Sequence, residues 1–235
     1  MHHTAPACPD VARARFAQAS VPVRPPFRPL LLALAALCAL LLAGCRPAAP
    51  AQPGAEAFRG VDLSRRGSER QFQLEDADGI PRTLADYRGK VVLLFFGFTR
   101  CPDICPMSLV RAKQIKETLG ESARGLEVLF ISLDHEHDGA ALLKTYVDAF
   151  DPGFVGLRGS REQVDAAVAS FDAVYMKVDM GAGYSIDHST WTYLIDRDGK
   201  LRVGLRHTQP LEDFVADVGH LLAAPRAVPA VTEEG

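Results

Sequence analysis

Residues 90–106 read KVVLLFFGFTRCPDICP, and this stretch decides the fold. Its first nine residues are an almost unbroken apolar run of β-formers, which predicts a central strand buried on both faces. Pro106 then opens a helical pattern that continues to about Leu119, and proline is tolerated at the first position of a helix. Between the strand and the helix lie Cys101 and Cys105. The order strand, cysteine-bearing turn, helix is therefore predicted for the centre of the domain.

The sequence on both sides continues this alternation of strands and helices. Ser160 and Gln163 form a capping box that predicts the start of a helix, and Asp78-Gly79 and residues 197–200 are hairpin turn signals. Strands are predicted at 71–75, 126–133, 154–157, 173–178, 191–196 and 201–206, and helices at 139–150, 160–171 and 211–223. This order predicts an α/β fold with a central mixed β-sheet and helices on both faces, in the thioredoxin-like layout.

Composition and charge argue against a nucleic-acid-binding protein. The chain has 235 residues, 48% hydrophobic and 23% charged, with a formal net charge of -3 and a pI of about 6.2. These values are ordinary for a globular protein of one or two domains. No basic stripe with interleaved aromatic residues is present, so we expect no nucleic-acid partner.

The N-terminal part predicts export and a membrane anchor. Residues 30–43, LLLALAALCALLLA, follow Arg24 and Arg28, which is typical of a secretory signal and short for a membrane-spanning helix. The stretch ends in Leu42-Ala43-Gly44-Cys45, which resembles a bacterial lipobox with Cys45 as the lipidated residue. The alternative is a short uncleaved anchor with an incidental Cys45. Either way, the domain is expected outside the cytoplasm, on the periplasmic side of a membrane.

These features predict four regions. Residues 1–44 are a signal peptide with an N-terminal extension, and residues 45–60 are the lipidated cysteine and a flexible tether rich in Pro, Ala and Gly. The folded domain is predicted at 61–224 and a disordered tail at 225–235.

The cysteine count leaves one pair for chemistry. Of five cysteines, Cys8 and Cys38 lie in the predicted leader and Cys45 is the predicted lipidation site, so Cys101 and Cys105 remain in the domain. One pair is not a disulfide framework, and its three intervening residues exceed the two of a thioredoxin-type redox pair. A helix N-terminus lowers the pKa of nearby thiols, and Arg100 is expected to add to this effect.

Two such thiols can form a disulfide, act as a redox couple or bind a metal. His188, predicted in the loop before the strand that begins at Trp191, is the candidate third ligand. Two thiolates and an imidazole favour copper, whereas zinc would require a fourth ligand. The alternative for a single loop histidine is a solvated side chain.

Residues 70–224 resemble the Sco/SenC family of copper chaperones. The resemblance lies in residues 84–106, in Ile131-Ser132-Leu133-Asp134, in Asp187-His188-Ser189-Thr190 and in residues 193–199. It implies a thioredoxin-like fold with Cys101, Cys105 and His188 as copper ligands, and a role in building the binuclear copper centre of cytochrome c oxidase. Where the family usually reads Pro-Glu-Arg-Asp, this chain has His135-Glu136-His137-Asp138.

The other histidines are assigned no role in the site. We interpret His135 and His137 as solvated loop residues rather than an accessory metal site. His207 and His220 are interpreted as surface or packing residues.

Two functions from different classes are compatible with these features. The first is a metallochaperone that delivers copper to the copper-carrying subunit of the oxidase, with other periplasmic copper carriers as further candidate partners. The alternative is an enzyme, a thiol–disulfide oxidoreductase that reduces the copper-ligating cysteines of that subunit. A peroxidase of the peroxiredoxin kind is less favoured, because nothing beyond a reactive thiol indicates it. Whether the chain is an enzyme stays open at this point.

Overall fold

The computed structural model describes residues 58–66 and 69–225. The predicted signal peptide, the predicted lipid site at Cys45, residues 45–57 of the predicted tether and residues 226–235 of the predicted tail lie outside these residues. No helix of the described residues is both long and apolar enough to span a membrane.

An eight-stranded mixed sheet forms the centre of the domain. Its middle strands are β4 (Val91–Gly97), β5 (Leu126–Ser132) and β6 (Val155–Arg158), which run parallel, and β9 (Trp191–Ile195), which is antiparallel to β4. The strand order is β1-β10-β9-β4-β5-β6-β2-β3, in which the remaining strands are β1 (Val61–Asp62), β2 (Gln73–Asp76), β3 (Pro81–Thr83) and β10 (Leu201–Arg206). Every residue of β4 is buried, which confirms the prediction from its apolar run.

Helices cover both faces of this sheet, so the predicted fold class is confirmed. One core contains side chains of α1 (Ile104–Leu119), α2 (Ala140–Asp148) and α4 (Leu211–Ala223). The other contains side chains of α3 (Arg161–Ser170) and of a 3-10 helix at Leu84–Tyr87. Both cores and all the strands of the sheet lie within residues 58–225, so this part of the chain has what a domain needs to fold by itself.

A separate two-stranded hairpin packs on the α3 side of the sheet. It consists of β7 (Tyr175–Asp179) and β8 (Tyr184–His188), joined by a turn in which Gly181 has a φ of 79°. The sequence predicts β7 but assigns residues 184–188 to a loop, and this second assignment is wrong. Ile186 is buried in the core, and its pairing with Lys177 of β7 draws the segment into a strand.

Helix α1 begins two residues before its predicted start at Pro106. Its first residue is Ile104, so Pro106 occupies the third helical position and Cys105 the second. The first four N–H groups of a helix have no partner within the helix, and a proline there costs no hydrogen bond. Cys105 consequently lies inside the first turn of α1 instead of preceding it.

Candidate functional site

The turn that carries Cys101 is fixed to the neighbouring strand by a buried carboxylate. Asp138 is fully buried and accepts hydrogen bonds from Thr99 N at 2.9 Å and from Thr99 Oγ1 at 2.6 Å. Ser132 Oγ, at the end of β5, donates to the same carboxylate at 2.6 Å. The ends of β4 and β5 are thereby held together just before the cysteines.

The backbone at Gly97 makes room for the buried cysteine. A Cβ at this position would lie 2.7 Å from Cys105 Sγ and 2.6 Å from the ring of Phe130, and Cβ atoms do not approach other atoms so closely. Because Phe130 is fully buried, it cannot move aside. Gly97 therefore lets the first turn of α1 lie directly over the end of β4.

The two cysteines have different environments. Cys101 is half-buried, whereas the exposed fraction of Cys105 is 1%, and neither forms a disulfide. The backbone N–H of Cys105 points at Cys101 Sγ, with the two heavy atoms 3.5 Å apart. The pair is thus an accessible sulfur held against a buried one.

Hydrogen bonding shifts the pKa values of the two thiols in opposite directions. The thiol of Cys105, followed by the backbone N–H groups of Asp103 and Cys105, lowers the pKa of Cys101 to about 5 against the opposing effect of burial. At pH 7 this corresponds to roughly a hundredfold excess of thiolate over thiol at Cys101. The hydrogen bond to Cys101 and burial both raise the pKa of Cys105. Cys101 therefore loses its proton at a lower pH than Cys105.

The third predicted residue, His188, ends strand β8 and faces the buried sulfur. Its Nε2 lies 3.9 Å from Cys105 Sγ, and its Nδ1 lies 2.8 Å from the carbonyl oxygen of Ser189. A carbonyl only accepts, so Nδ1 carries a proton, which leaves Nε2 as the ring nitrogen that can offer a lone pair beside Cys105. The edge of Phe98 packs against the ring, with centroids 6.1 Å apart. The structure thus brings Cys101, Cys105 and His188 together.

The spacing between sulfur and nitrogen suits a metal ion. Bonds of about 2.3 Å to sulfur and about 2.05 Å to imidazole, at an angle of 120°, put the two donor atoms about 3.8 Å apart. The observed 3.9 Å fits this value. Within residues 58–66 and 69–225, no three His, Cys, Asp or Glu side chains are already close enough together to hold a metal ion. Cys105 is fixed by its burial, so closure around an ion would fall to the half-exposed Cys101.

A second carboxylate connects the cysteine turn to the histidine hairpin. Asp134, with an exposed fraction of 2%, accepts hydrogen bonds from Arg100 Nη2 at 2.9 Å and from Tyr184 Oη at 2.7 Å. The Arg100 guanidinium also stacks over the Tyr184 ring, 4.2 Å from its centroid. Because Arg100 precedes Cys101 and Tyr184 begins β8, this contact sets how the cysteine turn and the hairpin that ends in His188 meet.

This arrangement corrects one prediction and adds residues that the sequence did not reveal. Arg100 was expected to lower the pKa of the thiols, but its charge is neutralised by Asp134, and it is not among the causes of the lowered pKa of Cys101. The positioning roles of Asp134 and Asp138 were not predicted. The only signal was that Asp134 belongs to a segment shared with the Sco/SenC pattern.

The four other histidines of the described residues do not join the site. His135 is half-buried and His137 is exposed. His207 Nδ1 lies 3.0 Å from Thr190 Oγ1, and the ring of His220 packs edge-on against Phe58.

Comparison with known proteins shows which family this chain belongs to. The SCO1/SenC family model matches residues 63–223. The chain belongs to the SCO1/SenC family. Among curated Sco proteins, an SCO2-like protein of Rickettsia felis is 38% identical over 132 residues, which are 55% of this chain and 64% of that protein. The mitochondrial SCO2 homolog of Bos taurus is 37% identical over 186 residues, or 74% of this chain and 70% of that protein.

Solved Sco structures share the fold. Bradyrhizobium japonicum ScoI with copper bound has a TM-score of 0.60 and 34% identity, and the match covers 64% of this chain and 97% of that one. A SCO1/SenC family lipoprotein from Bacillus anthracis has a TM-score of 0.60 and 26% identity over 70% and 99%. BsSco, described as having a disulfide switch and as a member of the Sco family of cytochrome c oxidase assembly proteins, has a TM-score of 0.54 and 26% identity over 67% and 94%.

Proposed function

We propose that this protein is a copper metallochaperone that binds copper through Cys101, Cys105 and His188. The observation that carries the proposal is the position of His188 Nε2, 3.9 Å from Cys105 Sγ, with Nδ1 held by the carbonyl oxygen of Ser189 and with the pKa of the neighbouring Cys101 lowered. A thiolate ligand needs no proton removed before it binds, which favours metal uptake at neutral pH. The copper bound to the ScoI relative supports copper as the metal.

The proposed recipient is the copper-carrying subunit of cytochrome c oxidase, at its binuclear site. A delivery protein requires ligands that can be exchanged with an acceptor, and the half-buried Cys101 and His188 border the accessible side of the site. The membership of BsSco in a family of oxidase assembly proteins supports this recipient. Other periplasmic copper carriers are the proposed donors of the metal.

Copper titration of the reduced domain tests the binding step. Residues 58–225 with both thiols reduced are expected to bind one Cu(II) per chain, with thiolate-to-copper charge-transfer absorption and an EPR signal that shows nitrogen coupling from one imidazole. Binding without charge-transfer absorption would place the copper away from the cysteines. No binding at all would overturn the copper proposal in favour of the reductase.

The second candidate, a thiol–disulfide oxidoreductase, is favoured by the unequal thiols. A half-buried thiol of low pKa beside a fully buried thiol is the arrangement in which one sulfur attacks a disulfide and the other resolves the mixed intermediate. The reported disulfide switch of BsSco agrees with such chemistry in a relative. The two roles are compatible, because only the reduced pair can bind metal.

A lipid on Cys45 is the proposed membrane anchor, which keeps the domain outside the cytoplasm and close to the oxidase. The Bacillus anthracis family member described as a lipoprotein supports this placement. Diacylated or triacylated cysteine gives stable anchoring, whereas one acyl chain gives only marginal binding.

Replacing Cys45 by Ser is expected to release the domain from membranes and to abolish incorporation of radiolabelled palmitate. Fractionation of a bacterial host that expresses the full chain measures both effects. The matched control is Cys38→Ser, which removes a cysteine from the apolar stretch itself and should leave anchoring unchanged. Continued membrane association of the Cys45→Ser chain would instead favour an uncleaved helix.

A further inference from the structure

The strand that ends in His188 is attached to the domain along one of its faces. Tyr184, Ile186 and His188 are alternate residues of β8, and alternate residues of a strand point to the same face. Ile186 is buried in the core, so this face is the one turned towards the domain. The Tyr184 ring and the His188 imidazole therefore lie on the same side of the hairpin, about 13 Å apart along the strand.

Tyr184 is held by a buried carboxylate and by two cations. Its Oη donates a hydrogen bond to Asp134 Oδ1 at 2.7 Å. The Arg100 guanidinium lies 4.2 Å from the centroid of the Tyr184 ring, and Lys177 Nζ lies 3.7 Å from it, which are cation–π contacts. Lys177 also forms an ion pair with Glu136 at 2.8 Å. Tyr184 and Lys177 thus fix the hairpin to the cysteine turn and to the loop that follows β5.

Asp134 is itself fixed, so it can position the segments on both sides of the site. Its backbone N–H donates to Ser132 Oγ at 3.1 Å, and its carbonyl oxygen accepts from Asp138 N at 2.9 Å. One oxygen of its carboxylate accepts from Arg100, which directly precedes the first cysteine, and the other accepts from Tyr184. A single buried group therefore positions the cysteine turn on one side and strand β8 on the other.

The position of the imidazole matters more for one oxidation state of copper than for the other. Two thiolates suit Cu(I), whereas Cu(II) favours nitrogen ligands in a defined geometry. His188 Nε2 lies 3.9 Å from Cys105 Sγ, a separation that suits two donors on one ion. Metal–ligand distances tolerate deviations of only roughly 0.2 Å. A small tilt of β8 would therefore weaken the bond to the imidazole and leave the two sulfurs in place.

We infer that Tyr184 and Asp134 are positioning residues for the third copper ligand, and that they raise the affinity of the site for Cu(II) relative to Cu(I). Neither residue is proposed to touch the metal, because both act through the position of His188. This inference rests on the proposed copper site and adds what sets its preference between the two oxidation states.

Tyr184→Phe in the reduced domain of residues 58–225 tests this role, because it removes the hydroxyl and keeps the ring that stacks on Arg100. Losing a group that orients a metal ligand costs about ten to a hundredfold in affinity, so we expect Cu(II) binding to weaken about tenfold. Cu(I) affinity, measured by competition with bathocuproine disulfonate, should change by less than about twofold. Asp134→Asn also leaves Arg100 without its counterion and should weaken Cu(II) binding by up to about a hundredfold.

Combination with His188→Ala separates positioning of the imidazole from a general effect on the site. In a domain that already lacks the imidazole, Tyr184→Phe should have no further effect on copper affinity, because residues that act through one contact are not additive. In the single Tyr184→Phe variant, the EPR coupling from the imidazole nitrogen should also weaken. A change in stability alone would move neither quantity.

Asp76→Asn is the matched control for Asp134→Asn. Asp76 is also buried and accepts a hydrogen bond from an arginine, Arg82 Nε, at 2.8 Å. It ends β2, which β5 and β6 separate from β4 in the strand order of the sheet. The control is expected to leave both copper affinities unchanged, whatever its effect on thermal unfolding.

The outcomes distinguish the positioning role from the copper site itself. Unchanged Cu(II) affinity in Tyr184→Phe and Asp134→Asn would overturn the positioning role and leave the copper site standing. An equal loss of Cu(I) and Cu(II), or a loss of Cu(II) that is the same with and without His188, would also overturn it, because the two residues would then act on the sulfurs. If the unchanged domain binds no copper, the proposed copper function fails, and the positioning role fails with it.

Discussion

Replacing Cys105 by Ser is expected to abolish copper binding and thiol–disulfide exchange together. The substitution removes one sulfur ligand and the resolving thiol in a single step. It also alters Cys101, because the hydrogen bond from Cys105 is the largest cause of the lowered pKa of Cys101. A serine hydroxyl can still donate a hydrogen bond to the Cys101 thiolate, but it does not replace a soft copper ligand and cannot form a disulfide.

The pH dependence of alkylation checks this prediction. In the unchanged domain, Cys101 should react with iodoacetamide with a midpoint near its pKa of about 5. In a Cys105→Ala variant, which removes the hydrogen-bond donor, the midpoint should move up towards the ordinary thiol value of about 8.5. Below the midpoint the thiol is protonated and unreactive, so the difference between the two proteins should be largest between these values, near pH 7.

The reciprocal variant Cys101→Ser should also lose both activities, but it leaves an unreactive thiol behind. Cys105 is buried, and burial both shields its sulfur and raises its pKa without any help from Cys101, so little alkylation is expected at neutral pH. Ser108→Ala, a substitution on the same helix, serves as the control for folding. A single-serine variant that still holds one copper per chain tightly would contradict the assignment of both sulfurs.

The elements of the fold were predictable because burial leaves a periodic signal in the chain. The run at β4 is buried throughout, and the capping box of Ser160 and Gln163 forms as predicted, with Ser160 N donating to Gln163 Oε1 at 2.8 Å. The turn between β9 and β10 likewise has Gly199 at a φ of 79°, which glycine adopts without strain. Each of these features depends on residues close together in the sequence.

The features that were missed depend on residues far apart in the sequence. Asp134 lies 34 residues from Arg100 and 50 from Tyr184, so no local pattern shows that the three side chains meet. Strand β8 was missed for the same reason, because its polar residues become a strand only when they pair with β7. The predicted meeting of His188 with the cysteines depended on the fold, which brings residues 83 positions apart within 3.9 Å.

Replacing His188 by Ala is expected to weaken Cu(II) binding by at least roughly a hundredfold, since losing a residue that merely orients a metal ligand already costs ten to a hundredfold. Cu(I) binding should fall less, because two thiolates suit the softer ion. Thiol–disulfide exchange should be largely retained, because the hydrogen bonds from the Cys105 thiol and from the backbone of Asp103 and Cys105 lower the pKa of Cys101 more than His188 does. Competition titrations with each copper ion and reduction of a model disulfide measure the three quantities.

This pattern of effects separates the two proposed functions, because a reductase has no need of the imidazole. His207→Ala is the matched control, since His207 is also half-buried but bonds Thr190 outside the site. If the His188→Ala domain keeps its Cu(II) affinity, His188 is not a ligand, and only the two sulfurs remain as proposed ligands. If it loses copper and thiol exchange to the same degree, the residue supports the structure of the site instead of the metal. Loss of Cu(II) with thiol exchange intact, together with failure to restore oxidase assembly in cells, would mean that assembly requires the metal-bound form of this protein.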